Sequence, residues 1–353
     1  MTVTFFVPGS FPATTGAIVF DTRLAEELRS LGVDVTIVPV AGAHPMPDAA
    51  ARASAAALWQ AHQHRTPARP AVIDGFCLYA FDGLEQRLRG AGVTGMVHHP
   101  MSLEPQLPQA EREAFAAIEQ RILPQLARIV VPSETIRSRL TAALTLPSVE
   151  VVAPGIADAA RSTGSGGGRC HLLAVGSLIP RKGHDTILRA LAGLADLDWT
   201  LTICGDGEID PDHAAELRAQ AQAAGLAARV VFAGACAAAR MEELWQAADV
   251  FVSGSCFEGY GMAVAEAVRR GIPLAVTTGA AVAEVIPLDC SVIVEPGDHV
   301  QLSKALRRLI FSAPLRQDLA EASWQAGRAF PTWAEQGQRF LHLLRPAQSA
   351  GYE

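Results

Sequence analysis

Short apolar runs and amphipathic stretches alternate along almost the whole chain. Residues 3–7, 34–38, 71–74, 94–97, 128–131 and 149–152 are apolar runs bounded mostly by Gly, Pro, Asp or Ser, and they predict strands buried on both faces. Between them, residues 17–31, 49–64, 81–89, 109–123 and 133–143 repeat apolar positions at helical spacing and predict helices. Ser133 is placed to cap the last of these, with Ile136 and Leu140 on its packing face. The rhythm restarts at residue 171, with strands over 171–175, 199–204, 230–232, 250–253, 273–276 and 291–294. Helices over 186–194, 212–224, 241–248, 262–270, 280–286 and 299–310 separate and follow them, and two more, 315–329 and 334–344, finish the chain. Strands alternating with helices in this way predict a parallel α/β sheet covered on both faces, built twice.

The break between the two series lies at residues 154–169, where Gly155, Gly164, Gly166, Gly167 and Gly168 mix with Ser and Thr. That composition reads as a linker or hinge loop. The expected division is a first domain over 1–155, a glycine-rich linker over 156–169, a second domain over 170–330 and a C-terminal segment over 331–353. No strand follows in that last segment, so its helix is expected to pack back across the first domain. A length of 353 residues, half of them hydrophobic, supports two full cores.

Charge and cysteine usage narrow the class. A net charge of −7 argues against nucleic acid as the main partner. The six cysteines include no C-x-x-C pair and sit mostly in apolar runs, so neither zinc nor disulfides are expected and a cytoplasmic location is. The chain opens directly on a strand-like run, without a basic leader, and no apolar stretch is long enough to span a membrane. The first domain shows no conspicuous basic amphipathic face, so constant membrane docking is not indicated, although a peripheral place at the inner membrane face is compatible with the chain.

The candidate chemistry lies in loops that follow strands, where open α/β sheets bind ligands. Residues 253–271 are the richest. Glu258 sits in a loop, Gly259 and Gly261 flank Tyr260 and let a ligand approach the backbone, and a helix starting near Gly261 or Met262 points its free N–H groups at whatever the loop holds. That arrangement favours an anion. Glu266 lies one turn in, among Ala, Val and Met, an odd place for an acid without a partner. The loop from Gly176 to Gly183 carries Arg181 and Lys182, and the chain's only lysines are Lys182 and Lys304. A flat guanidinium fork beside a compact ammonium suits a diphosphate. Gly205-Asp206-Gly207 and Phe232-Ala233-Gly234 end two further strands on the same edge. In the first half, the loop from Pro8 to Gly16 joins the first strand to the first helix, and Thr14, Thr15 and Gly16 offer capping groups and N–H donors there. His98 and His99 end a strand at that edge, and alternation sends them to opposite faces, with His98 favoured for the ligand side.

These residues resemble family 4 retaining glycosyltransferases of the group 1 type, enzymes of the GT-B fold with two Rossmann-like doubly wound domains facing across a cleft. The resemblance rests on Gly176-Ser177-Leu178 through Arg181-Lys182-Gly183, on Gly205-Asp206-Gly207, on Phe232-Ala233-Gly234, and above all on Phe257-Glu258-Gly259-Tyr260-Gly261 with Glu266, which reproduce the family's Glu-(x)7-Glu spacing. The first domain matches more loosely, through the loop from Pro8 to Gly16, His98 and Val131-Pro132-Ser133, and departs at Ala17, where the family often has a second glycine.

The resemblance implies a metal-independent hexosyltransferase without a cofactor, its co-substrate a UDP- or GDP-sugar. It implies retention of anomeric configuration, an α-glycosidic product, and a carbohydrate, small-molecule or lipid-linked acceptor on the first domain. Arg181 and Lys182 would hold the diphosphate, Glu258 the hydroxyls of the transferred sugar with N–H groups of Gly259 to Met262, and Glu266 the ribose, while His98 would sit near the reacting sugar. Gly16, Gly176, Gly205 and Phe232 complete the expected donor contacts. Two other readings share the plan: a sugar-nucleotide epimerase or glycan phosphorylase on the same fold, and a non-catalytic nucleotide-sugar-binding protein. Paired Glu258 and Glu266 with Arg181-Lys182 favour transfer over the first, and the presence of Glu258, Lys182 and Arg181 argues against the second.

Overall fold

The computed structural model describes residues 1–9, 15–65 and 69–345, and these fall into two compact units. The first unit joins the chain up to Gly155 with the segment from Pro331 on, and the second runs from Ile156 to Phe330. In the first unit, strands β1 (Thr2–Pro8), β2 (Asp34–Val40), β3 (Ala71–Asp74), β4 (Thr94–Met96), β5 (Arg128–Val131) and β6 (Val149–Val151) form one sheet in the order β2-β1-β3-β4-β5-β6. All its pairings are parallel. The chain runs from β1 outward to β2 and then returns to β3 on the other side. The switch point therefore lies at the C-terminal ends of β1 and β3, the crevice where such sheets bind ligands.

The helix Gly16–Ser30 covers one face of this sheet with Phe20, Leu24 and Leu28, each almost fully buried. The helix Trp333–Leu344, near the end of the chain, joins the same core, with Phe340 against Phe5 at 6.2 Å between ring centroids. A Thr332–Glu335 capping box starts that helix, each side chain satisfying the other's backbone N–H. On the opposite face Phe6, Trp59 and Phe81 pack ring to ring. The Ser133 hydroxyl accepts from the Ile136 N–H and caps the helix Glu134–Ala143.

The helix expected over 81–89 is instead three short turns: Gly75–Leu78, a 3-10 turn at Tyr79–Phe81, and Glu85–Leu88. The cause is Asp74, whose carboxylate accepts from the Phe76 and Cys77 N–H groups and starts a helical turn directly at the end of β3. Gly83, with φ of 91°, then reverses the chain before Glu85.

The second unit has strands β7 (Cys170–Val175), β8 (Trp199–Cys204), β9 (Val230–Gly234), β10 (Val250–Ser253), β11 (Leu274–Thr277) and β12 (Ser291–Val294), again all parallel. Their order is β12-β11-β10-β7-β8-β9, which puts the switch point between β7 and β10. One core packs under Trp199, Leu191 and Leu306, the other under Trp245, Phe251 and Val268. The stretch read as a linker lies along this unit. Ser162 donates its N–H to Arg270 O, its hydroxyl bonds to the carbonyls of Gln246 and Ala248, and the Ser165 N–H reaches Asp249.

Candidate functional site

The loops that leave β7 and β10 meet at the switch point of the second sheet. After β7 the chain turns through the 3-10 segment Pro180–Lys182 and enters the helix His184–Ala192 through Gly183. After β10 it runs through Gly254 and Ser255 to Glu258. The two loops touch backbone to backbone at Gly183 and Gly254. A Cβ on Gly183, whose φ is 63°, would lie 2.0 Å from the Gly254 carbonyl oxygen, and one on Gly254 would lie 2.4 Å from that of Gly183. Only glycine allows this approach. The Cys256 N–H then donates to Arg181 O at 2.8 Å, and Nη1 of Arg181 donates to Phe257 O at 2.8 Å.

This contact delivers the charged groups. Nζ of Lys182 stands 2.6 Å from Oε1 of Glu258, Nη1 of Arg181 stands 3.5 Å from Oε2, and the Ser255 hydroxyl donates to Oε1 at 2.8 Å. The Glu258 side chain is only 14% exposed, so these are desolvated interactions. Burial alone would raise its carboxyl. The charges of Lys182 and Arg181, with hydrogen bonds from Lys182 and Ser255, outweigh that and hold it at about 2. Two cations thus face the Glu258 carboxylate.

Backbone contacts fix the acid's own loop. Glu258 forms a parallel bridge with Ala280, and the Ala281 N–H donates to Glu258 O at 3.2 Å. Gly259, Tyr260 and Gly261 follow, and Gly261, at φ of 100°, is the N-cap of the helix Met262–Arg269. No side chain caps that helix. Tyr260 packs on the core, and burial, with the charge of Glu284, pushes its hydroxyl up to about 12. Glu266 is half-buried on the same helix. Gly176 and Gly205 meet in the neighbouring turn, where the Gly176 N–H donates to Cys204 O and a Cβ on Gly205 would lie 1.8 Å from Gly176 O. His184 secures Gly176 by a 3.1 Å bond from Nε2 to its carbonyl. Burial, assisted by the charge of Lys182, pushes that imidazole down to about 4, so near neutral pH it is the neutral donor. Phe232, on β9, lies under the guanidinium of Arg218 at 5.6 Å.

Gly16 and His98 belong to the first unit. Gly16 is the first residue of its helix, and residues 10–14 of the preceding loop, Thr14 among them, lie outside the described residues. His98 follows β4 and is bound by two acids: its Nε2 lies 2.7 Å from Oδ1 of Asp21 and 3.2 Å from Oδ2 of Asp74. His99 turns elsewhere, with Nε2 at 3.1 Å from Oε2 of Glu104. Asp21, Asp74 and His98 are the one group among the described residues with three metal-capable atoms within 4.8 Å. Nε2 of His98 lies within ion-pair distance of both carboxylates, and none of the three is assigned to a metal.

The sequence reading missed Ser255, Asp21 and Asp74. Ser255 is two residues beyond β10, at a hydroxyl's reach from Glu258. Asp74 is an acid closing an apolar strand, a visible signal. Asp21 lies on the buried side of its helix, between Phe20 and Leu24, where an acid needs a partner.

The family model described as glycosyl transferases group 1 matches residues 157–325, and the Glycosyltransferase Family 4 model matches residues 15–159. The chain belongs to the group 1, family 4 glycosyltransferases. Among curated glycosyltransferases it is 32% identical over 155 residues to the lipopolysaccharide glucosyltransferase WaaG of Escherichia coli, covering 42% of this chain and 40% of that one. It is 29% identical over 173 residues to the D-inositol 3-phosphate glycosyltransferase of Corynebacterium diphtheriae, covering 47% and 40%. The matches thus span less than half the length of these relatives. The fold extends further. Sucrose-phosphate synthase from Thermosynechococcus elongatus superposes with a TM-score of 0.83 at 18% identity, over 97% of this chain and 98% of that one. Anabaena HepE in complex with UDP-glucose gives a TM-score of 0.77 at 16% identity, over 98% and 99%. The α/β class with two doubly wound units is the GT-B glycosyltransferase fold that the sequence predicted. No helix among the described residues is long and apolar enough to cross a membrane.

Proposed function

We propose that the chain transfers a hexose from a nucleotide-diphosphate sugar to a hydroxyl acceptor, with retention, without a metal ion, and with formation of an α-glycosidic bond. The observation that carries this reading is the Arg181–Lys182–Glu258 constellation at the switch point of the second sheet. A diphosphate needs cations, and Arg181 and Lys182, both largely buried, supply them at fixed positions. The uncapped N-terminus of the helix Met262–Arg269 adds oriented N–H groups beside them. Fixed donors aimed at the oxygen that gains charge as the nucleotide leaves lower the barrier without reorganising. In this scheme Lys182 and Arg181 do the work that a divalent cation does elsewhere.

Glu258 has two parts. Its charge orders Lys182 before the donor arrives, and its carboxylate accepts hydroxyls of the transferred sugar, joined by N–H groups of Gly259, Tyr260, Gly261 and Met262. Glu266, one turn into the helix, binds the ribose hydroxyls. Phe232, backed by the Arg218 guanidinium, offers a face to the base, and Gly205 and Gly176 leave room for the backbone to approach the nucleotide. His98 and the loop ending at Gly16 serve the sugar and phosphate from the first unit. The donor base is uracil or guanine. The acceptor is a carbohydrate, a small molecule or a lipid-linked compound, and the protein works in the cytoplasm, at times against the inner membrane face.

The deciding experiment is thermal stabilisation of the full chain by UDP, GDP, ADP and their sugar conjugates, with a chelator present. A ligand at 100 times its dissociation constant stabilises the native state by about 2.7 kcal/mol, which moves the melting midpoint by several degrees. A shift with one nucleotide, followed by an α-configured product by NMR, supports the reading. No shift with any of them overturns the donor site. Interconversion of donor sugars without acceptor marks an epimerase, and nucleotide binding without any turnover marks a binding protein.

A further inference from the structure

The acid–histidine cluster of the first unit has a geometry that sets the chemistry of His98. Asp74 closes β3, Asp21 projects from the helix that follows β1, and His98 follows β4, so the three converge at the switch point of that sheet. All three are at least nine-tenths buried. Oδ1 of Asp74 is held by the Phe76 and Cys77 N–H groups, which fixes its carboxylate from below. The Phe20 ring stands edge-on to the imidazole at 5.2 Å and fixes the ring plane. Oδ2 of Asp21 has no hydrogen bond, and Oδ2 of Asp74 has only the 3.2 Å approach of Nε2, so His98 is the charge partner that the two acids share.

Both groups facing Nε2 are acceptors, so Nε2 carries a proton. Among the described residues no hydrogen bond reaches Nδ1, which is therefore the nitrogen left for a ligand. Its state depends on the surrounding charge. The other titratable groups packed here are the Cys77 thiol and the Tyr79 hydroxyl, both pushed well up by burial and therefore neutral. The neighbouring His99 is paired with Glu104, and the rings of Phe20 and Trp333 carry no charge. The field at His98 is thus that of Asp74 and, above its raised value of about 7, of the Asp21 carboxylate. Burial works against an imidazolium, but Asp21 first and Asp74 second outweigh it and raise His98 well above its ordinary value. Burial also raises the Asp21 carboxyl, against the charge of His98 and with that of Asp74.

We propose that Asp21 and Asp74 grip His98 by Nε2 and keep the ring doubly protonated, so that Nδ1–H meets a ligand oxygen as a hydrogen-bond donor. This rests on the transferase reading, in which His98 serves the reacting sugar. It makes His98 an electrostatic donor and removes it as a general base, because a cationic imidazole has no lone pair to accept a proton. Asp21 is a positioning residue. It acts on the ligand only through the orientation and charge of His98.

The test is a pH titration of the histidine rings in the uniformly 15N-labelled full chain, with His98→Gln to assign the signal. The expected result is that both ring nitrogens of His98 stay protonated through pH 8. In Asp21→Asn the amide oxygen still accepts from Nε2–H, so the ring keeps its orientation but loses a charge partner. Its titration should then fall by more than about one pH unit. With the preferred donor, kcat of Asp21→Asn should drop at least about tenfold at pH 8 and recover as the pH is lowered, while the donor KM changes little. A wild-type His98 that titrates in the ordinary histidine range overturns the proposal, and that measurement does not depend on the variant folding. An unmoved titration in Asp21→Asn overturns it as well, as does displacement of the His98 signals by added Mg2+ or Zn2+. If His98 is cationic as expected but no nucleotide binds, the transferase reading fails and the charged cluster stands.

Discussion

Lys182 and Glu258, 76 residues apart in the chain, are joined by a 2.6 Å ion pair in which neither side chain is more than 21% exposed. At that burial the pair's value lies less in net attraction than in the penalty for separating its members. Lys182→Ala leaves a desolvated carboxylate with Arg181 at 3.5 Å as its remaining charge partner. We expect that variant to lose about 3 kcal/mol, a fall of roughly 6–12 °C in the melting midpoint. The double variant Lys182→Ala with Glu258→Gln should lose clearly less than the sum of the two single variants, because neither charge is then left without its partner. A double-mutant cycle by urea unfolding reads the coupling directly. Losses that simply add would mean that the two residues do not act as a pair. In turnover, Lys182→Ala should lower kcat more than donor affinity, because its charge matters most as the leaving group departs.

The same pair gives the chain an acid-side signature. Burial raises the Glu258 carboxyl, the charges of Lys182 and Arg181 lower it further than burial raises it, and the result is about 2 against an ordinary 4.5. A depressed acid stabilises the fold fully above its unfolded value and loses that contribution as the pH falls toward the folded one. The stability gap between wild type and Glu258→Gln should therefore be flat from pH 7 to about 5 and close between about pH 4.5 and 2. Chemical unfolding of both proteins across that range checks it. A gap that stays constant down to pH 3 would show that Glu258 is not held ionised by its neighbours.

Much of this site can be seen in the amino-acid order, and the reason is local. Arg181-Lys182-Gly183 and Glu258 each follow an apolar strand, so they were bound to lie at the C-terminal edge of a parallel sheet. That β7 and β10 are neighbours, which makes the two loops meet, is a matter of strand order, and strand order is fixed by long-range packing. Asp21 shows the opposite case. It sits beside Phe20 on a face that also carries Leu24 and Ala25, and a lone acid there gives no hint of which distant residue neutralises it. Asp74 is visible as an acid at a strand end, but its double duty is not. It ends β3 and caps the next turn, so the stretch after it breaks into short turns where periodicity suggested one helix starting at residue 81.

Phe232 offers a test of where the nucleotide base lies. Its ring is half-buried on β9 and backed on one side by Arg218 at 5.6 Å. A base resting on the ring would gain roughly 1–3 kcal/mol of stacking. Phe232→Ala should then raise the dissociation constant of the preferred nucleoside diphosphate by about 5- to 150-fold. Its effect on kcat at saturating donor should be small, since the base stays bound throughout the reaction. Calorimetric titration measures the first quantity and steady-state kinetics the second. Unchanged nucleotide affinity would place the base elsewhere on the sheet edge.

Gly183 separates the cost of backbone conformation from the cost of moving the site. It has φ of 63° and faces the Gly254 carbonyl, which a Cβ would meet at 2.0 Å. Gly225 has a similar φ of 71° with nothing within 4 Å of where its Cβ would be. Gly225→Ala should therefore cost only the left-handed strain, about 1–2 kcal/mol, with kcat unchanged. Gly183→Ala pays the same strain and must also push the loops after β7 and β10 apart. Lys182 is the next residue back, so its ammonium moves with the loop. A displacement of about 1 Å at a reacting centre can cost about 100-fold in rate. We expect Gly183→Ala to be folded but less stable than Gly225→Ala, with kcat reduced by about 100-fold. Equal activity in the two variants would show that the close approach of Gly183 and Gly254 does not set the geometry of Lys182 and Glu258.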